Sequence, residues 1–520
     1  MDTQLLLLAA LLLLPLLALL LVQQHGAVGK GKNGCRLPPG PLAVPVIGNL
    51  LWLRHSSSDV EPLLRRLVAR YGPVVSLRVG SRLSIFVADR RIAHAALVER
   101  GAALADRPAV TRELLGENGN TISRSSYGTM WRLLRRNLVA ETLHPSRVRL
   151  FAPARAWVRR VLVDKLQESG EAQAAPVMEA FRYAMFCLLV LMCFGERLDE
   201  PAVRAIAVVQ RDWLMFVANN TSVSAFWPAM TKHLFRGRLQ IGFDVRRRQK
   251  QLFVPLIDAR REHKKQLSRG GDAAASKKET TFGHSYVDTL LDITLPDEGG
   301  RSLTDDEMAK LCSEFLTAGT DTTSTALQWI MAELVKNPAI QEKLYGEIKA
   351  TCRDEQEEVS EEDTHKMPYL KAVVLEGLRR HPPAHFLLAH KAAEDIEVGG
   401  YLIPKGATVN FTVAEMGRDE REWERPMEFV PERFLAGGDG DGVDVTGSRE
   451  IKMMPFGVGR RICAGLGIAI LHLEYFVANL VREFEWKVVP GDEVDLAEKR
   501  EFTTVMKKPL RAQLVRRTTN

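Results

Sequence analysis

The stretch LTDDEMAKLCSEFLTAGTDTTSTALQWIMAELVKNP constrains this chain more than any other. Thr304 and Glu307 stand at capping-box spacing, and Asn337-Pro338 supplies a stop. Between them the periodicity is helical for about 30 residues, against a typical helix of about 11–12. The centre is unusual: Ala318-Gly319-Thr320-Asp321-Thr322-Thr323-Ser324-Thr325 is made of poor interior helix formers. Apolar residues flank it on both sides, so the segment reads as a buried helix with a polar middle. The competing reading is a polar solvent face. Gly with Ser and Thr distorts helices and opens room for a water or ligand.

Other helical periodicities run over Trp157–Glu168, Pro176–Phe194, Val203–Val217 and Pro255–Leu267. VVSLRV and RLSIFV alternate around Gly80-Ser81, predicting a β-hairpin over Val74–Val87. Residues 268–281 read as a polar loop. There is no internal repeat and no long linker, so residues 51–520 are expected to form one mainly α domain with small β-sheets. Leu5–Val22 is an 18-residue run without a polar side chain. It spans roughly 27 Å, near the thickness of a bilayer core. Positive charge follows the run rather than preceding it, at Lys30, Lys32 and Arg36. That predicts a membrane anchor over 1–24 with the bulk of the chain on the cytoplasmic side, rather than a cleaved signal peptide. Residues 25–50 read as a linker and proline-rich hinge.

The formal charge is +7 with charges dispersed, and no arginine-rich tract or RNA-binding signature favours nucleic acid. The six cysteines form no CxxC pair, so neither a zinc ribbon nor a disulfide framework is supported. One of them, Cys463, lies in the glycine- and arginine-rich loop PFGVGRRICAG. A lone cysteine is ordinarily a small buried hydrophobe. Here the setting suits a thiolate: glycines let backbone wrap the sulfur, arginines supply positive charge, and a helix beginning near Ala464 points its amides back. Such a thiolate can ligate heme iron.

Phe456, Gly459, Arg461, Cys463 and Gly465 resemble the F-x-x-G-x-R-x-C-x-G heme loop of the cytochrome P-450 family. Further motifs occur in the family's order. The centre 318–323 is similar to its oxygen-activating groove, Glu376 and Arg379 to its E-x-x-R pair, Pro431–Phe434 to P-E-R-F, and Trp131 with Arg135 to W-x-x-x-R. The similarity spans essentially the whole chain and is greatest to plant microsomal enzymes. It implies a P-450 fold behind an N-terminal transmembrane helix, at the endoplasmic reticulum membrane. It implies heme b with Cys463 as axial iron ligand. Arg461, Trp131, Arg135 and His390 are then propionate contacts, while Phe456, Gly459 and Gly465 shape the loop. Glu376, Arg379 and Arg433 become a structural network, and Thr322 with Asp321 handle protons.

The resemblance also implies an activity, insertion of one oxygen atom from O2 into a small, largely apolar substrate. No flavin or nicotinamide fingerprint is present, so electrons are expected from an NADPH-dependent cytochrome P-450 reductase. Arg132, Arg136, Arg449, Lys452 and Arg460 are its candidate contacts. A heme-thiolate isomerase or dehydratase, or a heme-binding sensor, are the alternatives. Family topology places the pocket along 107–121, 315–322, 384–388 and 502–505. Asp439, Asp441 and Glu450 mimic part of a calcium loop, but Val443 and Asp444 break its pattern, leaving an exposed insertion.

Overall fold

The computed structural model describes residues 35–43, 48–49, 60–79, 82–108, 121–172, 176–224, 236–268, 282–353 and 356–517. The first half runs α1 (Val60–Tyr71), β1 (Val74–Val79), β2 (Arg82–Val87), α2 (Thr129–Asn137), α3 (Ala152–Ala172), α4 (Met178–Phe194), α5 (Glu200–Ser224) and α6 (Arg236–Ser268). Then follow α7 (Asp305–Lys336), α8 (Pro338–Thr351), α9 (Pro368–Arg380), β3 (His390–Lys391), β4 (Thr408–Phe411), α10 (Leu466–Glu483), β5 (Phe484–Lys487), β6 (Glu498–Arg500), β7 (Thr504–Met506) and β8 (Gln513–Arg516). The chain is mainly helical with small sheets. The largest sheet has the order β1-β2-β4-β3, with β2 and β4 parallel and the other pairs antiparallel. Strands β1 and β2 pair from Val74↔Val87 to Val79↔Arg82, the register the alternating pattern predicts.

The long helix is α7, with Thr304 as its N-cap. Its hydroxyl accepts from the Glu307 amide, and the Glu307 carboxylate accepts from the Thr304 amide at 2.9 Å. The middle does not break. Thr320, Thr322 and Ser324 each donate to the carbonyl one turn back, at 2.7, 2.7 and 2.8 Å, so the hydroxyls are satisfied within a continuous α-helix. Gly319 serves packing, because a Cβ there would lie 2.8 Å from Leu189 Cδ1 on α4. Leu327, Trp329, Ile330 and Leu334 continue the buried face into the main core.

Two expectations need adjusting. Pro255 does not start a helix but lies inside α6, which begins at Arg236. The helix expected near Ala464 begins at Leu466. The apolar run Leu5–Val22 and the turn Gly80-Ser81 lie outside the described residues; of the hinge, residues 35–43 and 48–49 are described, and the Pro39 carbonyl accepts from the Ser76 amide of β1 at 2.8 Å. Among those described, no helix is long and apolar enough to cross a membrane.

An ion network joins α9 to the 417–439 segment, with Glu376, Arg379 and Arg433 buried and Asp439 half-buried. Glu376 and Arg379, one turn apart on α9, pair at 2.6 and 2.9 Å. Arg379 also donates to the carbonyls of Gly417 and Pro426, at 2.6 and 2.8 Å. Arg433 joins Glu376 at 3.1 Å and Asp439 at 2.8 Å. Every charge is therefore opposed, and the network pins α9 to the 417–439 segment. Among the described residues no other carboxylate reaches Arg379. Glu376→Ala is expected to cost about 3–5 kcal/mol by stranding that guanidinium. Urea unfolding followed by circular dichroism checks it; a loss under about 1 kcal/mol would contradict this account of the network.

Candidate active site

The loop Pro455–Gly465 is folded by its glycines. Gly457 and Gly459 adopt φ of +67° and +72°, a left-handed region that favours glycine. A Cβ on Gly459 would also collide with the Leu97 carbonyl. The Cys463 amide closes the loop onto the Phe456 carbonyl at 2.9 Å. Gly465 caps α10, and its amide donates to the sulfur. Cys463 is exposed on one side but walled by protein elsewhere. That enclosure raises its thiol above the ordinary value, opposed by the Gly465 amide and the Arg135 charge.

Beside the sulfur the structure gathers guanidiniums with no carboxylate partner. Arg461 donates to the carbonyls of Ala105, Ile122 and Ser125, at 2.7, 3.0 and 2.6 Å. Its guanidinium stacks 4.6 Å over Trp131, whose indole also donates to Ile122. Arg135 donates to the Ile462 carbonyl at 2.8 Å. Arg107, which the sequence offered only as the start of a pocket segment, is 8% exposed and donates to the carbonyls of Leu388, Ala389 and Ser123. Burial and then Arg461 push Arg107 down to about 9, and burial pushes Arg461 down to about 10. His390 donates from Nδ1 to the Leu104 carbonyl at 2.7 Å; burial, with Arg107 beside it, lowers it to about 3. The ring is therefore neutral with Nε2 an acceptor, and it would donate to an anion from Nε2 only as the imidazolium, which a nearby anion favours. Asp106, the nearest carboxylate, is paired to Lys391 at 3.2 Å. Among the described residues none lies within ion-pair distance of Arg107, Arg135 or Arg461. Such a cluster is stable against a ligand with more than one carboxylate.

Around the middle of α7, Ala318 is exposed and Phe315, Gly319 and Thr322 are half-buried, with Gly319 against Leu189 of α4. Asp321, beside Thr322 in the chain, is buried. Its carboxylate is held by Arg182 from α4 at 3.0 Å and Arg211 from α5 at 3.3 Å. Neither partner was legible from the sequence. Of the candidate docking residues, Arg132, Arg136, Arg449 and Arg460 are exposed. Lys452 instead donates to the Asp439 carbonyl at 3.0 Å. Asp439 is bound to Arg433 and Asp441 caps the Gly437 amide, so both carboxylates are already used. A groove of about 410 Å³ beside Arg261, Leu303 and Met308 belongs to the far N-terminal end of α7.

The model of the family described as Cytochrome P450 matches residues 38–516. The chain belongs to the cytochrome P450 family. It is 46% identical to cytochrome P450 89A9 of Arabidopsis thaliana over 92% of this chain and 93% of that one. It is 32% identical to the flavonoid 3'-monooxygenase of the same plant, over 88% and 86% of the two chains. A zebra fish cytochrome P450 structure with progesterone has the same fold, with a TM-score of 0.70, 23% identity, and coverage of 88% of this chain and 99% of that one. The protein is thus a P450 monooxygenase, an oxidoreductase, and its family implies heme. The residues fit that cofactor: a cysteine in an amide-lined loop answers the iron, and unpaired guanidiniums answer the propionates.

That fit yields a prediction. Removing Arg107 should cost a charge-assisted hydrogen bond, about 1.5–3 kcal/mol or tenfold and more in heme retention. Transfer of heme to apomyoglobin reads it directly. An Arg107→Gln P450 that keeps its heme as long as wild type would contradict the assignment.

Proposed function

We propose that Cys463 is the axial thiolate of a bound heme. Arg461, Arg135, Trp131 and His390 hold its propionates, joined by Arg107. The heme when bound supplies oxygen activation, favoured by thiolate donation. What supports this reading most is the pairing of an amide-capped cysteine with buried Arg107 and half-buried Arg135 and Arg461, none of which has a carboxylate partner among the described residues.

Thr322 and Asp321 are proposed to handle protons. Thr322 donates to Ala318, so its oxygen remains an acceptor for a water or ligand hydrogen. Asp321 moves a proton only after its ion pairs loosen. Both arginines have an alternative anion, since Arg182 lies 3.1 Å from Glu179 and Arg211 lies 3.0 Å from Glu501. Release of Asp321 therefore leaves neither guanidinium bare.

The substrate is proposed to be small and largely apolar, bounded by half-buried Phe315, Phe386 and Leu387 and exposed Leu388. The name of the flavonoid 3'-monooxygenase relative supports oxygen insertion into such molecules. Electrons are proposed to come from an NADPH-dependent reductase docking on Arg132, Arg136, Arg449 and Arg460. Residues 1–24 are proposed as an endoplasmic reticulum anchor, 25–50 as the hinge, and 51–520 as the cytoplasm-facing catalytic domain.

The test is turnover of a panel of plant flavonoids, terpenoids and alkaloids with reductase, NADPH and isotopically labelled dioxygen. One labelled oxygen atom per product is expected. Thr322→Ala should divert NADPH electrons to hydrogen peroxide, with product per NADPH falling about tenfold or more. Product formed without O2 would replace this reading with an isomerase.

A further inference from the structure

A second cluster of buried charge lies at the junction of α1, α9 and the β6–β7 hairpin. His385 is 5% exposed and sits between two carboxylates. Its Nδ1 lies 2.7 Å from Glu61 on α1, and its Nε2 lies 3.6 Å from Glu498 on β6. These contacts are ionic rather than aligned hydrogen bonds, and among the described residues no other polar partner reaches either nitrogen. His381 repeats the pattern, with Nε2 at 2.8 Å from Glu333 of α7 and Nδ1 at 3.4 Å from Glu498. Its ring stacks on Trp329 at 4.1 Å. Arg418 pairs with Glu498, Arg380 pairs with Glu333, and Arg65 pairs with Glu415 at 2.7 Å.

Glu61, His385 and Glu498 approach one another closely enough to suggest a metal site. The geometry argues otherwise. The two carboxylates lie beside opposite nitrogens of one ring, and Glu498 is already held by Arg418, an arrangement that answers an imidazolium. A carboxylate beside each nitrogen sets a lone pair of the neutral ring against a negative charge, whereas the imidazolium offers positive charge to both. Charge agrees: Glu61, Glu333 and Glu498 outnumber the guanidiniums Arg380 and Arg418, so the cluster accommodates an imidazolium.

The clamp bears on the active site through the hairpin. Strands β6 and β7 pair Glu498↔Met506 to Arg500↔Thr504. At the tip Thr503 meets Thr325 at 2.9 Å, and the Thr504 carbonyl accepts from Trp329, both on α7. Glu501, between the strands, holds Arg211, which also holds Asp321. We propose that His385 is a positioning residue: protonated, it bridges Glu61 and Glu498 and locks the β6–β7 hairpin, with the Glu501–Arg211 contact, against α1. The functional weight of this lock rests on the proposed role of Asp321.

Burial pushes His385 down, but contact with Glu498 and Glu61 outweighs it, so His385 titrates above its ordinary value. Burial raises Glu61 and Glu498, and their cationic partners overcome it, holding both below the carboxylate range. The folded-state value of His385 is the raised one. The lock is therefore complete below about pH 6.5 and is lost as pH rises through that raised value.

Hydrogen exchange in the full-length holoenzyme tests this, with peptides over 498–506 and intrinsic rates corrected for pH. Protection of the hairpin is expected to fall about tenfold as pH rises from about 6 to about 9, while the α10 peptide stays constant. His385→Gln should show low protection at every pH. Glu61→Gln, at the edge of the cluster, should also flatten the profile and serves if His385→Gln does not fold. A wild-type hairpin whose protection ignores pH, or a Glu61→Gln profile like the wild type's, overturns the proposal. Exchange does not read heme ligation or turnover, so failure here leaves the heme-thiolate reading standing. Failure of that reading in turn leaves this result intact.

Discussion

The active centre depends on enclosed guanidiniums, Arg107 buried and Arg135 and Arg461 half-buried, whose hydrogen bonds go to carbonyl oxygens. Arg461 alone ties Ala105, Ile122 and Ser125 to the cysteine loop, and Arg107 ties Ser123 to Leu388 and Ala389. Segments distant in sequence thus converge on one positive field. Arginine does not escape burial by losing its proton at neutral pH, so the field persists and calls for an anionic ligand. Carbonyls orient the guanidiniums but leave their charge unopposed.

The second buried network behaves differently. Glu376, Arg379, Arg433 and Asp439 form closed pairs with no charge left over. One network is closed on itself, while the other leaves positive charge that the propionates of the proposed heme would answer. Helix α7 runs past both the core and the site, since its Trp329–Val335 end is buried while Ala318 is exposed and Thr322 half-buried. Its length lets one rigid element place Thr322 and Asp321 relative to the packing of α4 at Gly319.

Much of this was legible in the chain. The capping box, the alternation around Gly80-Ser81 and the E-x-x-R spacing are local signals, and each element formed where its signal lay. The loop motif and W-x-x-x-R gave Cys463, Arg461, Trp131 and Arg135, which the structure brings together. What escaped depends on distant pairing. Arg182 and Arg211 meet Asp321 across 139 and 110 residues, with no periodicity to announce them. Arg107 offered only a charge beside Asp106 in the stretch AALADRP, with nothing to mark it as lacking a carboxylate partner. Asp439 looked like part of an exposed insertion, yet it neutralises Arg433. Nor did composition reveal that hydroxyls along α7 would bond back to carbonyls within a continuous helix.

The central claim is that Cys463 ligates heme iron as a thiolate. The most direct measurement is the absorption spectrum of the dithionite-reduced protein under carbon monoxide, beside Cys463→Ala. The account predicts a strongly red-shifted Soret band in the wild type that is absent from the variant. A well-folded wild type with the unshifted band of a histidine- or thiol-ligated heme would contradict it.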